Sequence, residues 1–214
     1  MPLQPTQPRP FAESCEQNRD PILAVLRRLF ADRRQVLEIG SGTGQHAVYF
    51  ARYLPWLFWQ TSDQAEHHPG IRAWLTDAAL PNTGLPLLLD VRQPDWPALA
   101  VDAVFSANTL HIMSWPAVEA CFAGVGRLLP AGGQFAVYGP FNYGGEYTSA
   151  GNARFDQWLQ QRDPASGVRN FEDLAQLAQA AGLHLREDVG MPANNRMLCW
   201  EKAGWPRAVP SGMA

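Results

Sequence analysis

The stretch from 36 to 50, VLEIGSGTGQHAVYF, constrains the fold of this chain more than any other part of the sequence. An apolar strand pattern carries an acid at Glu38, glycines follow at alternate positions (Gly40, Gly42 and Gly44), and a helix pattern begins directly afterwards. Glycine lets a backbone approach a ligand where a Cβ atom would clash, and the first turn of a helix favours a negative group. The stretch therefore predicts a strand–turn–helix cradle for a nucleotide-type ligand.

The spacing of these glycines distinguishes two kinds of cradle. A dinucleotide site requires G-x-G-x-x-G, or alanine at the last position. Counted from Gly40, that last position is Gln45, so the chain reads G-x-G-x-G instead. This difference favours S-adenosylmethionine, whose methionine carboxylate would meet the turn, over NAD. A tight turn that binds no ligand is the plainer alternative.

Acids at the ends of two further predicted strands support the same ligand. Asp63 follows a strand over 57–62 and is placed to take both ribose hydroxyls of an adenosine. Asp90 is predicted near the end of a strand over 85–91, where it would accept from the adenine amine while the Val91 backbone meets the ring. Each acid could instead be a solvated turn residue, so the prediction depends on the set.

Four more residues complete the predicted cofactor site. Asn108 follows a strand over 102–106 and would hold the cofactor's amino group, while Glu38 would orient the turn or accept from that ammonium. His46 faces the site or packs beside it. Arg19 would pair with the carboxylate from a lid over 11–20, or would instead face solvent. The whole predicted set is Arg19, Glu38, Gly40, Ser41, Gly42, Gly44, His46, Asp63, Asp90, Val91 and Asn108.

Strand and helix patterns alternate along the chain, which predicts an α/β fold with a mostly parallel sheet covered on both faces. Helices are expected from Asp20 as N-cap with Pro21 first, and over 45–54, 71–79, 114–129 and 170–181. The last two strands, over 183–189 and 196–202, have no helix between them and predict an antiparallel hairpin at one edge. The segment 139–152 reads as a long functional loop.

Length and charge restrict the remaining possibilities. The 214 residues suit one domain, predicted over 11–204 with a flexible arm over 1–10 and a tail over 205–214. A net charge of −3 gives no basic face for a nucleic acid or a membrane surface. Three widely spaced cysteines predict a reducing, cytoplasmic location. The five scattered histidines predict no metal site.

Candidates for the chemistry follow the later strands. His111 is the predicted general base, with a pKa suited to neutral pH, although it could instead be a structural histidine at a helix start. Tyr138 and Tyr143 are predicted near the reacting methyl group, where their ring faces would attract a sulfonium. Substrate contacts are predicted from Asn142 and Tyr147, although this loop could also be ordinary surface.

The motifs LEIGSGTG, SD, LDV, DAVFSANTLH and RLLPAGGQFAVYGP, taken together, resemble class I S-adenosylmethionine-dependent methyltransferases over almost the whole chain. This resemblance implies a Rossmann-like sheet of seven strands in the order 3-2-1-4-5-7-6, with the seventh antiparallel. The chain is more closely similar to a small methyltransferase-like family of bacteria and animals. The shared motifs are an opening like ERN-P-IL, then SG-GQHA-FA, YGP and MPANN, here at 18–23, 41–51, 138–140 and 191–195. The recurrence of Asn194 and Asn195 in that family implies a role in the substrate pocket, although paired asparagines also form turns.

The predicted function is methyl transfer from S-adenosylmethionine to a small molecule, by alignment with or without a general base. Two alternatives stay open at this point. One is a catalytically silent protein that keeps the fold and acts through cofactor binding or a partner. The other is an NAD-type oxidoreductase, which the glycine spacing and Asp90 disfavour. The acceptor atom and the oligomeric state are not determined by the sequence.

Overall fold

A computed structural model describes residues 9–204, and a seven-stranded sheet forms its centre. The predicted tail over 205–214 and most of the predicted arm over 1–10 lie outside the described residues. The helices are α1 (Glu13–Leu29), α2 (Gln45–Tyr53), α3 (His68–Ala78), α4 (Trp115–Leu128), α5 (Ala150–Arg162) and α6 (Phe171–Ala180). The strands are β1 (Gln35–Ile39), β2 (Phe58–Asp63), β3 (Thr83–Leu88), β4 (Ala103–Ala107), β5 (Gln134–Gly139), β6 (Phe141–Asn142), β7 (Arg169–Asn170), β8 (Leu183–Met191) and β9 (Asn195–Lys202).

The sheet has the order β3-β2-β1-β4-β5-β9-β8, and the short strands β6 and β7 pair separately. Without these two short strands in the count, the order is 3-2-1-4-5-7-6, as predicted. β9 runs antiparallel to both of its neighbours, β5 and β8, whereas the other pairings are parallel. The predicted fold class and the terminal hairpin are therefore confirmed.

Helices bury both faces of this sheet. Phe122 of α4 and Leu174 of α6 belong to one core, together with Leu37 and Phe135 of the sheet. Leu26 of α1 belongs to the opposite core, with α2 and the other face of the strands. Because both faces are covered, the edge where the parallel strands end is the place at which a parallel sheet binds ligands.

The first helix differs from its prediction. α1 begins at Glu13, so Asp20 is not its N-cap and Pro21 lies inside the helix. The lost backbone hydrogen bond at a proline is normally costly in a helix interior. Here contacts with the first turn of α2 hold the early part of α1: the Ala12 amide donates to Gln45 Oε1 at 2.6 Å. The predicted lid over 11–20 is therefore mostly helical, and a lid function stays a prediction.

The segment predicted as a long loop contains regular structure. Residues 139–152 include the last residue of β5, all of β6 and the start of α5, which the sequence reading missed. The Ser149 side chain caps α5 by accepting from the Asn152 amide at 3.0 Å. β3 also ends at Leu88, two residues before Asp90. Of the helices in residues 9–204, none has both the length and the apolar character required to cross a membrane.

Candidate active site

The strand ends surround a cavity of about 590 Å³, here called the glycine cavity. Its wall includes the turn after β1, the ends of β2 and β4, and the segment after β3. Of the predicted cofactor residues, it contains Gly40, Ser41, Gly42, His46, Asp63, Asp90, Val91 and Asn108. The structure thus brings residues from four separate strand ends to one place. Glu38, Gly44 and Arg19 are not part of the wall.

The glycines of the turn have different tasks. At Gly40 the φ angle is +74°, and a Cβ atom would lie 2.6 Å from the side chain of Thr109. Gly44 is similarly confined, with the Ile71 backbone 3.0 Å from a Cβ position. At Gly42 no atom lies within 4 Å of a Cβ position, and this glycine faces the cavity. Gly40 and Gly44 therefore allow the turn to pack, whereas Gly42 leaves open backbone for a ligand.

Glu38 lies beneath the turn, with 1% of its surface exposed. It accepts hydrogen bonds from Ser41 Oγ at 2.8 Å and from Trp59 Nε1 at 3.0 Å. Burial raises the pKa of this carboxyl to about 7, against the lowering effect of the two hydrogen bonds. Of its two predicted roles, this position supports orientation of the turn and not contact with a cofactor ammonium.

Asp63 joins the turn to the end of β2. Its Oδ2 accepts from the Gly42 amide and its Oδ1 from the Gln64 amide, both at 2.7 Å. A carboxylate oxygen accepts more than one hydrogen bond, so each oxygen retains capacity for a ligand hydroxyl. Because the carboxylate lines the cavity and is held by two backbone amides, it is a preoriented acceptor.

Asp90 lies across the cavity with a partner of its own. Arg92 Nη2 lies 2.6 Å from Asp90 Oδ2, and this hydrogen bonding lowers the pKa of the Asp90 carboxyl. Asp90 is therefore ionised at neutral pH. Its neighbour Val91 is buried in the cavity wall.

Two predicted cofactor residues differ in their positions. His46 is buried in the cavity wall and shares a hydrogen bond of 2.7 Å with Asn18 Oδ1. Burial lowers the His46 pKa to about 4, so its ring is neutral. Arg19 lies outside the glycine cavity, paired with Glu16 and stacked 4.6 Å from the ring of Tyr49. Its predicted contact with a cofactor carboxylate is therefore not supported, because cation–π stacking and the ion pair direct it elsewhere.

A second cavity of about 450 Å³, here called the aromatic cavity, adjoins the first. Ser14, Asn108 and Ile112 line both cavities. Asn108 lies at this junction with a φ angle of +55°, a conformation that asparagine tolerates better than most residues. The wall of the aromatic cavity includes His111, Tyr138, Asn152, Phe155, Trp158 and Asn195.

The sequence patterns do not predict several residues of this wall. Phe155, Trp158 and Leu159 come from α5 and follow the i, i+3, i+4 spacing of one helix face. That spacing, together with Ser149 as an N-cap, predicts a helix with these three side chains on one face. Asn18 and Pro21 come from α1, whose early turns were not predicted.

His111 lies in the aromatic cavity with 6% of its surface exposed, edge-on to Phe155 at 5.1 Å. Its ring makes no hydrogen bond within residues 9–204. Burial, and secondly the charge of Arg169, lower its pKa to about 4. The predicted pKa suited to neutral pH is therefore wrong, because removal from water disfavours the charged imidazolium. At neutral pH the ring is uncharged, and the same burial makes it a weak base.

The loop that carries His111 is held by the segment before α6. Arg169 donates to the carbonyl oxygens of Leu110, at 3.1 Å, and of Met113. The Gly167 amide donates to the His111 carbonyl at 2.9 Å. These contacts fix the backbone on both sides of His111.

Tyr138 and Asn195 face each other in the aromatic cavity. Burial raises the pKa of the Tyr138 phenol, and the Asn195 amide opposes that effect. The phenol is therefore a neutral donor at physiological pH. Both residues line the same cavity, and their placement near an acceptor stays a prediction.

Four other predicted residues do not line either cavity. Tyr143 donates to Asp188 Oδ2 at 2.7 Å and stacks on Phe171, so its predicted catalytic role is not supported. Asn142 is buried where β6 pairs with β7. Tyr147 donates to Asp156 at 2.6 Å, and the backbone carbonyl of Asn194 accepts from Asn152 at 3.1 Å. These side chains shape the loop instead of the cavity surface. Within residues 9–204, no three His, Cys, Asp or Glu side chains cluster as metal ligands.

Comparison with known proteins places the chain in a family and a fold. Residues 9–202 match the sequence model of a family described as "Protein of unknown function (DUF938)". An O-methyltransferase family protein from Burkholderia thailandensis has a similar structure, with a TM-score of 0.77, 17% identity, and coverage of 86% of this chain and 56% of that one. An O-methyltransferase family 2 protein from Planctomyces limnophilus in complex with apigenin has a TM-score of 0.77 and 15% identity, with coverage of 89% of this chain and 58% of that one. A structure titled "PigF with SAH" has a TM-score of 0.72 and 18% identity, with coverage of 85% of this chain and 61% of that one.

At these identities the likeness shows a shared fold. The chain spans less than two thirds of the length of those three structures. The residues that each of those proteins uses are therefore not carried over to this chain.

Proposed function

This chain belongs to the family described as "Protein of unknown function (DUF938)", and we propose that it transfers a methyl group from S-adenosylmethionine to a small-molecule acceptor. The observation that carries the proposal is the meeting of two cavities at Ser14, Asn108 and Ile112. One cavity has the acids and open glycine backbone of a nucleoside site, and the other has a neutral histidine among aromatic walls. Methyl transfer requires such adjacency, because donor and acceptor must be aligned in contact.

The residues of the glycine cavity fit the proposed cofactor. Gly42 leaves its backbone open, Asp63 retains acceptor capacity for ribose hydroxyls, and Asp90 is an ionised acceptor for the adenine amine. Asn108 would meet the amino-acid part, because the amides of Gly40, Ser41, Gly42 and Gly44 already donate within the protein. The cavity volume of about 590 Å³ lies in the range of ligand sites. The shared fold with O-methyltransferase structures, one of them titled with SAH, supports this reading.

When bound, the cofactor supplies a methyl group on a positively charged sulfur, which a nucleophile displaces in line. The chain's own residues hold the acceptor beside the junction at Asn108, so that donor and acceptor are aligned. His111 is uncharged at neutral pH and accepts the proton of an acceptor group such as a hydroxyl. Tyr138 and Asn195 orient the acceptor through hydrogen bonds.

Calorimetry with S-adenosylhomocysteine tests the cofactor directly. We expect binding of one molecule per chain, and a loss of roughly 10- to 100-fold in affinity in Asp63→Ala, because hydrogen bonds to a carboxylate and the hold on Gly42 are removed together. Asp77→Ala is the matched control, since Asp77 is an exposed aspartate of α3 outside this cavity. Absence of binding at millimolar ligand would reject the proposal, as would unchanged affinity in Asp63→Ala.

Turnover is a separate measurement. Transfer of labelled methyl from S-adenosylmethionine to a metabolite pool would support an enzyme. Cofactor binding with no transfer to any fraction of that pool would favour a catalytically silent binding protein. Tight binding of NADH in preference to S-adenosylhomocysteine would favour an oxidoreductase.

A further inference from the structure

The wall of the aromatic cavity contains no Asp, Glu, Lys or Arg within the described part of the chain. Its polar groups are amides, hydroxyls and the uncharged ring of His111. Arg162 stacks on Trp158 at 4.6 Å but is not part of the wall. A carboxylate, phosphate or ammonium group that entered this cavity would lose part of its hydration without gaining an ionic partner in the wall, and that loss disfavours a charged ligand.

Three buried polar side chains of this wall have hydrogen-bonding capacity left. Asn152 donates to Thr148 at 2.8 Å and to the Asn194 carbonyl, whereas its Oδ1 accepts no hydrogen bond within residues 9–204. Asn18 uses one end of its amide on His46 and leaves the other end without a partner in that range. With the His111 ring, these side chains are 6–8% exposed, and all three line the aromatic cavity.

The apolar part of the wall is unusually accessible. Ile112 is 59% exposed and Trp158 is 47% exposed, and both line this cavity. Large apolar side chains that share one exposed site commonly mark a surface that a ligand covers. Phe155 stacks beside Trp158 at 5.8 Å and extends this apolar surface. The site therefore combines a flat aromatic side with a few polar anchors.

Resting on the proposed function, we infer that the acceptor is an uncharged, ring-bearing compound with a hydroxyl group at His111 and a second polar group at the amide of Asn18 or Asn152. The acceptor oxygen forms its bond to the methyl carbon as the carbon–sulfur bond breaks, and the sulfur keeps that electron pair. The hydroxyl proton passes to His111, which later releases it to water. The ring system lies against the apolar side formed by Ile112, Phe155 and Trp158.

A matched pair of probes tests the charge preference. We would compare a dihydroxynaphthalene with a hydroxynaphthoate that carries its substituents at the same ring positions, by calorimetry on the full chain with and without S-adenosylhomocysteine. The uncharged diol is expected to bind at least tenfold more tightly, because the carboxylate has no partner in the wall. Equal affinities, tighter binding of the carboxylate, or no binding of the diol would each overturn the inference.

Three variants locate the binding. Trp158→Ala is expected to weaken diol binding about tenfold, because part of the apolar wall is removed. Trp56→Ala is the control, since Trp56 is also partly exposed but lies outside the cavity. Ile112→Arg adds a cation to the wall and is expected to shift the preference toward the hydroxynaphthoate. Equal losses in Trp158→Ala and Trp56→Ala, or an unchanged preference in Ile112→Arg, would contradict the assignment.

The same titrations separate this inference from the proposed function. If S-adenosylhomocysteine binds and the diol does not, the cofactor assignment stands and the acceptor class is wrong. If the diol binds with the expected preference and S-adenosylhomocysteine does not, the aromatic cavity is a site for uncharged rings and methyl transfer is rejected.

Discussion

The glycine cavity and the aromatic cavity are built in different ways. The two acids of the first already have partners in the protein: Asp63 accepts from the Gly42 and Gln64 amides, and Asp90 pairs with Arg92. The second is assembled from α1, the end of β4, β5, α5 and the turn before β9, and Asn18, His111 and Asn152 keep unused hydrogen-bonding capacity there. On the proposed function, the donor site would be held by the protein's own hydrogen bonds, whereas the acceptor site would be completed by its ligand.

The largest expected effect separates chemistry in one cavity from binding in the other. His111→Asn should lower the rate of methyl transfer by about 10²-fold, the lower end of the usual contribution of a general base, because a pKa of about 4 makes the ring a weak base. Affinity for S-adenosylhomocysteine should stay unchanged, because His111 does not line the glycine cavity. Radiometric transfer and calorimetry measure the two quantities. His184→Asn, at an exposed position of β8, is the control, and full activity in His111→Asn would reject the base.

The buried acid beneath the glycine turn should make stability depend on pH. The folded-state pKa of Glu38 is raised from 4.5 to about 7, so wild type loses stability as pH rises through that window. Glu38→Gln removes this loss, and its free energy of unfolding relative to wild type should rise by on the order of 2–3 kcal/mol between about pH 4.5 and pH 8. Urea unfolding of both proteins at both pH values measures this difference in the free energy of unfolding. Glu13→Gln, at an exposed position of α1, should show no such rise, and a flat difference for Glu38→Gln would contradict the burial argument.

Two glycines with similar backbone angles sharpen the assignment of the donor site. Gly42 and Gly132 have φ angles of +57° and +78°, and neither has an atom within 4 Å of its Cβ position. Alanine at either position should cost roughly 1 kcal/mol of stability through backbone strain. Only Gly42→Ala should also lose affinity for S-adenosylhomocysteine, by about tenfold, because Gly42 alone faces the cavity. Equal affinities in the two variants would argue against ligand contact at the turn.

The smallest expected effect concerns the charge behind His111. Burial is the larger cause of its lowered pKa, and Arg169 is the smaller one. Arg169→Met should therefore raise the His111 pKa from about 4 to a value still below 6.5. As the pH is lowered, activity that requires the neutral ring should then be lost at a higher pH than in wild type. Arg169→Lys keeps the charge and should keep the low pKa. An NMR titration of the His111 ring measures these pKa values. Identical values in wild type and Arg169→Met would show that the Arg169 charge does not lower the His111 pKa.

The two cavities also differ in how far the sequence predicts them. The turn from Gly40 to Gly44 and the acids Asp63 and Asp90 follow strand ends, so short-range patterns place them correctly at one edge of the sheet. Arg19 is the exception, because its stacking on Tyr49 depends on how α1 packs against α2. The strand order agrees with the resemblance to methyltransferases.

Prediction of the aromatic cavity depends on packing between distant segments. Pro21 reads as a helix start, yet α1 continues back to Glu13 because the start of α2 holds its early turns through Gln45. Because 139–152 is predicted as a loop, Ser149 is not identified as the N-cap of α5, and Phe155 and Trp158 are not placed on a helix face. The lowered pKa of His111 likewise depends on burial, which the sequence alone does not fix.

A crystal structure with S-adenosylhomocysteine would test most directly whether the two cavities form one methyl-transfer site. We expect the ribose at Asp63, the adenine near Asp90 and Val91, and the sulfur at the junction of Ser14, Asn108 and Ile112, facing the cavity of His111. A ligand bound elsewhere, or a sulfur directed away from that junction, would contradict it.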